Sequence, residues 1–135
     1  MSRLLSSLTV TPAWSQIEVR DFGAIDSPEW ETGEEPLVWT DSCFFIGTVG
    51  DLESDVAVEF RTGPVDVPGV REIHSGVFVC ASGKVSAITP AMSHEVSLVL
   101  PKPGAWSVRI AVRGDDRPDY VVIFFDETEW ESSLP

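Results

Sequence analysis

Residues Gly76 to Phe125 read GVFVCASGKVSAITPAMSHEVSLVLPKPGAWSVRIAVRGDDRPDYVVIFF, and they decide the fold because one event repeats along them. A short apolar-alternating segment is followed by a turn signal and by another such segment. From Trp106 to Val112, for example, apolar side chains occupy every second position, the period of a β-strand with one buried face. Tyr120 to Phe125 is apolar throughout, which predicts a central strand covered on both faces.

The same alternation predicts which side chains of this stretch form the core. The residues expected to be buried are Val96, Leu98, Trp106, Val108 and Ile110. Val96 and Leu98 lie in a strand that opens near Ser93-His94, and the other three lie in the strand after the turn Pro101-Lys102-Pro103-Gly104.

The rest of the chain continues the pattern of short strands. Alternating segments occur at Gln16 to Phe22 and at Asp55 to Arg61, and no segment has a sustained helical period. We therefore predict an all-β, single-domain antiparallel β-sandwich of about eight to ten short strands over residues 1–135. A small closed barrel is the second choice. The acidic segment from about residue 127 is expected to be a loosely held tail apart from Trp130.

Composition limits the function classes. The net charge of -13 and the isoelectric point of 4.3 would repel nucleic acid and anionic membranes, so a basic protein is the natural partner. Cys43 and Cys80 each lie in an apolar strand-like run, which favours two buried thiols over a disulfide. No apolar run approaches the length of a membrane span. We predict a soluble, cytoplasmic protein.

Catalytic and metal-binding patterns are missing from the sequence. The two histidines, His74 and His94, stand in no recognisable catalytic setting, and two Cys with two His form no familiar zinc spacing. There is also no phosphate loop, dinucleotide fingerprint or basic aromatic patch. The prediction is a protein that is not an enzyme and that holds no cofactor and no metal.

The distribution of charge is more informative than its total. Between Arg20 and Arg61 there is no Lys or Arg, although that interval holds eleven carboxylates. We predict that acidic loops form a surface for a cationic partner and imitate a phosphate backbone. An alternative is that the charge serves solubility alone. The candidate binding residues are Glu29, Trp30, Glu31, Glu34, Glu35, Asp51, Glu53, Asp55, Asp115, Asp116 and Asp119.

Two further alternatives stay open. Acidic turns at Asp51 to Asp55 and at Asp115 to Asp119 could meet at one end of a sandwich and coordinate calcium or a small ligand, although neither turn has the glycine and bidentate glutamate of an EF-hand. The chain could also be a structural or homo-oligomer-forming domain.

One series of motifs resembles a known family. The sequence from Ser93 to Val108 contains a strand, then Leu100-Pro101-Lys102-Pro103-Gly104, then an aromatic residue that opens the next strand. This order is similar to the step of strand, "LPxG", aromatic residue and strand in the competence protein J family, the inhibitors of a DNA-entry nuclease. An early Trp14-Ser15-Gln16-Ile17-Glu18-Val19 strand, the Trp30 loop and a hairpin over Gly76 to Ile88 follow in the same order. The resemblance covers about Leu8 to Asp126. It implies a β-sandwich-like protein that binds and blocks a secreted or DNA-processing nuclease.

Overall fold

The computed structural model describes residues 1–89 and 95–135, which contain ten strands and one short helix. The strands are β1 (Arg3–Val10), β2 (Gln16–Asp21), β3 (Leu37–Thr40), β4 (Cys43–Gly47), β5 (Val56–Thr62), β6 (Arg71–Cys80), β7 (Lys84–Ile88), β8 (Leu98–Val99), β9 (Gly104–Arg113) and β10 (Tyr120–Phe125), and the helix is α1 (Glu127–Ser132). The predicted opening of a strand at Ser93-His94 lies outside the described residues.

The strands form two sheets of five. The first sheet has the order β1-β5-β10-β9-β6, and the second has the order β3-β4-β2-β7-β8. The prediction of an all-β chain is confirmed, but the prediction of purely antiparallel pairing is wrong for one pair, because β10 runs parallel to β5. Parallel neighbours need a long connection, which the chain from β6 to β9 supplies.

One hydrophobic cluster draws side chains from both sheets. The rings of Phe44 in β4 and Phe78 in β6 lie 5.6 Å apart across it. Four of the five predicted core residues are buried, namely Leu98, Trp106, Val108 and Ile110. The prediction for Val96 is wrong, since this side chain is 41% exposed. It precedes the two-residue strand β8, so sheet pairing does not hold it against the core.

Strand β10 is buried on both faces, as its uninterrupted apolar sequence predicts. Val121, Ile123 and Phe125 belong to the main cluster. Tyr120, Val122 and Phe124, on the opposite face, form a second cluster with the side chains of Val65, Val67 and Val70. The Pro/Gly-rich segment 63–70 therefore covers the outer face of the first sheet at β10.

A second long segment covers the outer face of the second sheet. Arg20 of β2 points to this face and is nevertheless buried. Its guanidinium donates to the Glu18 carboxylate at 3.1 Å, to the Ala24 carbonyl at 3.3 Å and to the Ser27 hydroxyl at 3.2 Å. These bonds fix the start of the long loop that continues to Trp30.

The acidic C-terminal segment differs from the expected loose tail. Residues Glu127–Ser132 form α1, and the Asp126 side chain caps it by accepting from the Glu129 N–H at 2.8 Å. Acidic residues in the first turn also suit the positive end of a helix. The Trp130 ring is buried against Trp106 and Phe125, with centroid distances of 5.6 Å and 5.8 Å. The tail is therefore anchored by one large aromatic side chain.

Both cysteines are free and buried, as the sequence predicts. Burial raises the pKa of the Cys43 and Cys80 thiols to about 12, so both remain protonated at neutral pH. In the part of the chain that the structure describes, no helix has the length and apolar content needed to cross a membrane.

Candidate functional site

Four connecting segments meet at one end of the two sheets, which we call the acidic end. They are the turn 13–16 and the loops 29–36, 48–55 and 114–119. Because β5 and β10 are parallel, the loops that precede them lie side by side, and the Val49 N–H donates to the Pro118 carbonyl at 3.1 Å. The Thr48 N–H likewise donates to the Ser15 carbonyl at 2.8 Å. All eleven predicted binding residues belong to these loops.

The loop 29–36 is fastened to the second sheet by Trp30. Its indole N–H donates to the Gln16 side-chain carbonyl at 2.9 Å, and a Cβ added at Gly47 would lie 3.9 Å from its ring. Trp30 is only partly exposed. Its ring is already engaged within the chain, where it orders the acidic loop.

Glu35 has a structural role in the same loop. Its carboxylate accepts from the Thr32 hydroxyl, from the Thr32 N–H at 2.6 Å and from the Glu31 N–H at 3.2 Å. The hydrogen bond from the Thr32 hydroxyl lowers the pKa of Glu35. Glu29, Glu31 and Glu34 are exposed, so their charges face the solvent.

A cleft of about 840 Å³ opens between these loops. The side chains that line it include those of Trp14, Trp30, Glu34, Glu35, Asp116 and Arg117. The cleft therefore joins two of the predicted acidic groups, the loop 29–36 and the turn 114–119. The carboxylates of the third group, Asp51, Glu53 and Asp55 in the loop 48–55, do not line the cleft.

Two of the three carboxylates in the loop 48–55 have partners within the chain. The Glu53 carboxylate lies 3.6 Å from the guanidinium of Arg117, and the Asp55 carboxylate accepts from the Thr11 hydroxyl at 2.9 Å. An exposed ion pair of this kind contributes at most about 1 kcal/mol. Asp51 is exposed at the tip of the loop.

The turn 114–119 is held from the side by Arg71. The guanidinium of Arg71 donates to the carbonyl of Gly114 and, at 2.7 Å, to that of Asp115. The carbonyl groups accept these bonds, so the carboxylates of Asp115, Asp116 and Asp119 remain exposed. Arg71 therefore orders the turn without forming an ion pair with its carboxylates.

Sequence reasoning missed the most exposed aromatic residue of the acidic end. Trp14 is 82% exposed. It has φ 54° and is followed by Ser15 with φ 58°, while Ala13 and Gln16 exchange two backbone hydrogen bonds of 3.2 Å. Two positive φ values define a type I′ turn, for which Asn-Gly is the favoured sequence. Holding a non-glycine residue in this conformation costs about 1–3 kcal/mol of folding free energy. The sequence Trp-Ser is not typical of such a turn, so the turn could not be predicted from the sequence.

Among residues 1–89 and 95–135, no group of three or more His, Cys, Asp or Glu could hold a metal ion. His74 lies elsewhere, with its ring 4.5 Å from that of Trp39 and 5.4 Å from that of Phe44, and burial lowers its pKa. His94 lies outside the described residues.

The fold and this end together define a class: an acidic, all-β protein of two five-stranded sheets with a carboxylate-lined cleft between its loops. No family model matches the chain, and no curated protein matches its sequence. Its fold is similar to that of ComJ, the inhibitor of the DNA degrading activity of NucA, from Bacillus subtilis. That match has a TM-score of 0.68 at 10% identity and covers 93% of this chain and 98% of ComJ.

A second solved structure, described as Crocagin biosynthetic gene J, has a TM-score of 0.58 at 14% identity. This match covers 93% of this chain and 97% of the other. The resemblance to the competence protein J family that the sequence predicts is thus confirmed as a likeness of fold.

Proposed function

We propose that the chain is a non-enzymatic inhibitor or immunity-type protein that binds a basic nuclease, or a similar basic protein, in the cytoplasm. The observation that carries the proposal is the meeting of three acidic loops at one end of the sheets. They bring ten carboxylates, and the nearby cations Arg71 and Arg117 already have partners within the chain. ComJ, which is described as a nuclease inhibitor, has a similar fold, and this supports the same choice.

The physical advantage of such a surface is rapid encounter with a cationic protein. Carboxylates spread over one end of the molecule give a field that attracts basic surfaces and slows the approach of acidic ones. A nuclease that binds a phosphate backbone presents a basic groove of this kind. The acidic end would occupy that groove and exclude the nucleic acid.

We also propose that the two sheets pack face to face as a β-sandwich. The hydrophobic cluster shared by both sheets supports this arrangement. It places the loops of the acidic end on the rim, where a partner can reach several of them at once.

The test is an inhibition assay with the nucleases encoded by the source genome, each purified and assayed for plasmid degradation. We expect the chain to inhibit one of them at equal molar ratio, and the inhibition to weaken as salt rises. Its Glu29→Gln, Glu31→Gln and Glu34→Gln variant should inhibit less well at low salt. If none of these nucleases is inhibited by an excess of the chain, the proposal of a nuclease inhibitor is wrong.

A further inference from the structure

Trp14 differs from the other four tryptophans because, among the described residues, no hydrogen bond or ring contact engages its side chain. Trp106 and Trp130 are buried, and the indole N–H of Trp30 is bonded to Gln16. Trp39 is half exposed, but its ring packs against that of His74 at a centroid distance of 4.5 Å. The Trp14 ring is 82% exposed, and among the described residues its indole N–H has no hydrogen-bond partner.

The backbone under this ring is nevertheless firmly held. Ala13 and Gln16 close the turn with two hydrogen bonds, and the Ser15 carbonyl accepts from the Thr48 N–H. The neighbouring Gln16 side chain also accepts from Trp30. An aromatic ring on a backbone fixed in this way loses little conformational freedom when it is buried in a partner, which favours tight binding.

The sequence Trp14-Ser15 is unfavourable for the backbone conformation of this turn. Trp14 and Ser15 both have positive φ, where Asn-Gly would be relaxed, and the Trp14 ring buries little surface in return. Residues held in sparsely populated backbone regions cluster at binding and catalytic sites. The combination of strain and exposure points to a role outside the chain.

We infer that Trp14 is the apolar anchor of the proposed interface and that the partner receives it in an apolar pocket bordered by Lys or Arg side chains. The inference rests on the proposed function. The ring lines the cleft together with the carboxylates of Glu34, Glu35 and Asp116. Arg71 and Arg117 also line the cleft, but both already have partners within the chain. The three carboxylates therefore favour basic neighbours on the partner. An Arg or Lys of the partner could also lie on the face of the indole. Tryptophan and arginine are frequent at the centres of protein interfaces.

The experiment compares two variants that differ only at Trp14. Ser15→Gly retains the ring, while the double variant Trp14→Asn, Ser15→Gly replaces it with the favoured turn sequence. We expect both variants to unfold at a higher temperature than the parent, because each relaxes the turn. Dissociation from the nuclease identified in the inhibition assay should be unchanged for Ser15→Gly. It should be about 30-fold faster for the double variant, which corresponds to a hot-spot loss of about 2 kcal/mol.

The outcomes separate this inference from the proposed function. If the nuclease is inhibited and the double variant dissociates at the parent rate, the inference is overturned and the proposed function stands. If no nuclease is inhibited, the proposal of a nuclease inhibitor and the inference that rests on it are both overturned. A fall in the unfolding temperature of the double variant would show instead that Trp14 stabilises the turn, and would also overturn the inference.

Discussion

The buried ion pair between Glu18 and Arg20 gives the sharpest test of how the outer face of the second sheet is built. Both side chains are 9% exposed and their charged atoms are 3.1 Å apart. Replacing Arg20 with Met leaves the Glu18 carboxylate buried without its partner and removes the bonds to Ala24 and Ser27. Breaking a buried pair in this way costs about 3–5 kcal/mol, so we expect Arg20→Met to lose about that much unfolding free energy.

The double variant Glu18→Leu, Arg20→Met should recover most of the loss. Arg20 and Ser86 are opposite each other in the register of β2 and β7. The Arg20 Nε atom and the Ser86 hydroxyl are buried, and neither has a hydrogen-bond partner in the part of the chain that the structure describes. An apolar pair would remove the unpartnered Nε atom, and such replacements are often neutral or stabilising. Urea unfolding of the parent, both single variants and the double variant measures the coupling. Additive losses, or a cost below about 1 kcal/mol for Arg20→Met, would refute this account of the pair.

Three further expectations concern two tryptophans and the partly buried His74. Trp130→Ala should cost about 3–5 kcal/mol in urea unfolding, whereas Glu131→Ala on the exposed side of α1 should stay within about 0.5 kcal/mol; equal effects would mean that α1 is not anchored. Trp30→Ala should lower stability by about 1–3 kcal/mol, and a loss confined to binding would contradict its role in ordering the loop. Burial lowers the pKa of His74, so the unfolded chain takes up the proton first as pH falls below about 6.5. The unfolding free energy should therefore fall less between about pH 7.5 and 5.5 in His74→Gln than in the parent, and identical pH dependence would exclude this contribution.

The sequence predicts strands well where burial controls the pattern. The apolar run from Tyr120 to Phe125 correctly indicates a strand covered on both faces, because each of its faces meets a hydrophobic cluster. The parallel pairing of β10 with β5 could not be predicted, since the partner of a strand depends on contacts between distant segments. The helix α1 has only six residues, too few for a helical period to be recognised.

The candidate site was likewise predictable in part. Charge counting finds the acidic loops, but only the parallel start of β5 and β10 brings the loop 48–55 beside the turn 114–119. Trp30 and Trp14 are both surrounded by turn residues in the sequence, so composition alone cannot tell which ring is engaged. The hydrogen bond from Trp30 to Gln16 and the positive φ of Trp14 distinguish them in the structure.

The most direct test of the central claim is the association rate of the chain with its nuclease at low and high salt, measured by stopped flow. The acidic-end variant Glu29→Gln, Glu31→Gln, Glu34→Gln is compared with a variant that removes three exposed charges remote from that end, Asp41→Asn, Glu127→Gln, Glu131→Gln. Both variants lose the same net charge, so only the position of the charge differs. The account predicts that the acidic-end variant associates about tenfold more slowly at low salt, that the remote variant is nearly unchanged, and that the difference disappears at high salt. Equal rates for the two variants at low salt would contradict it.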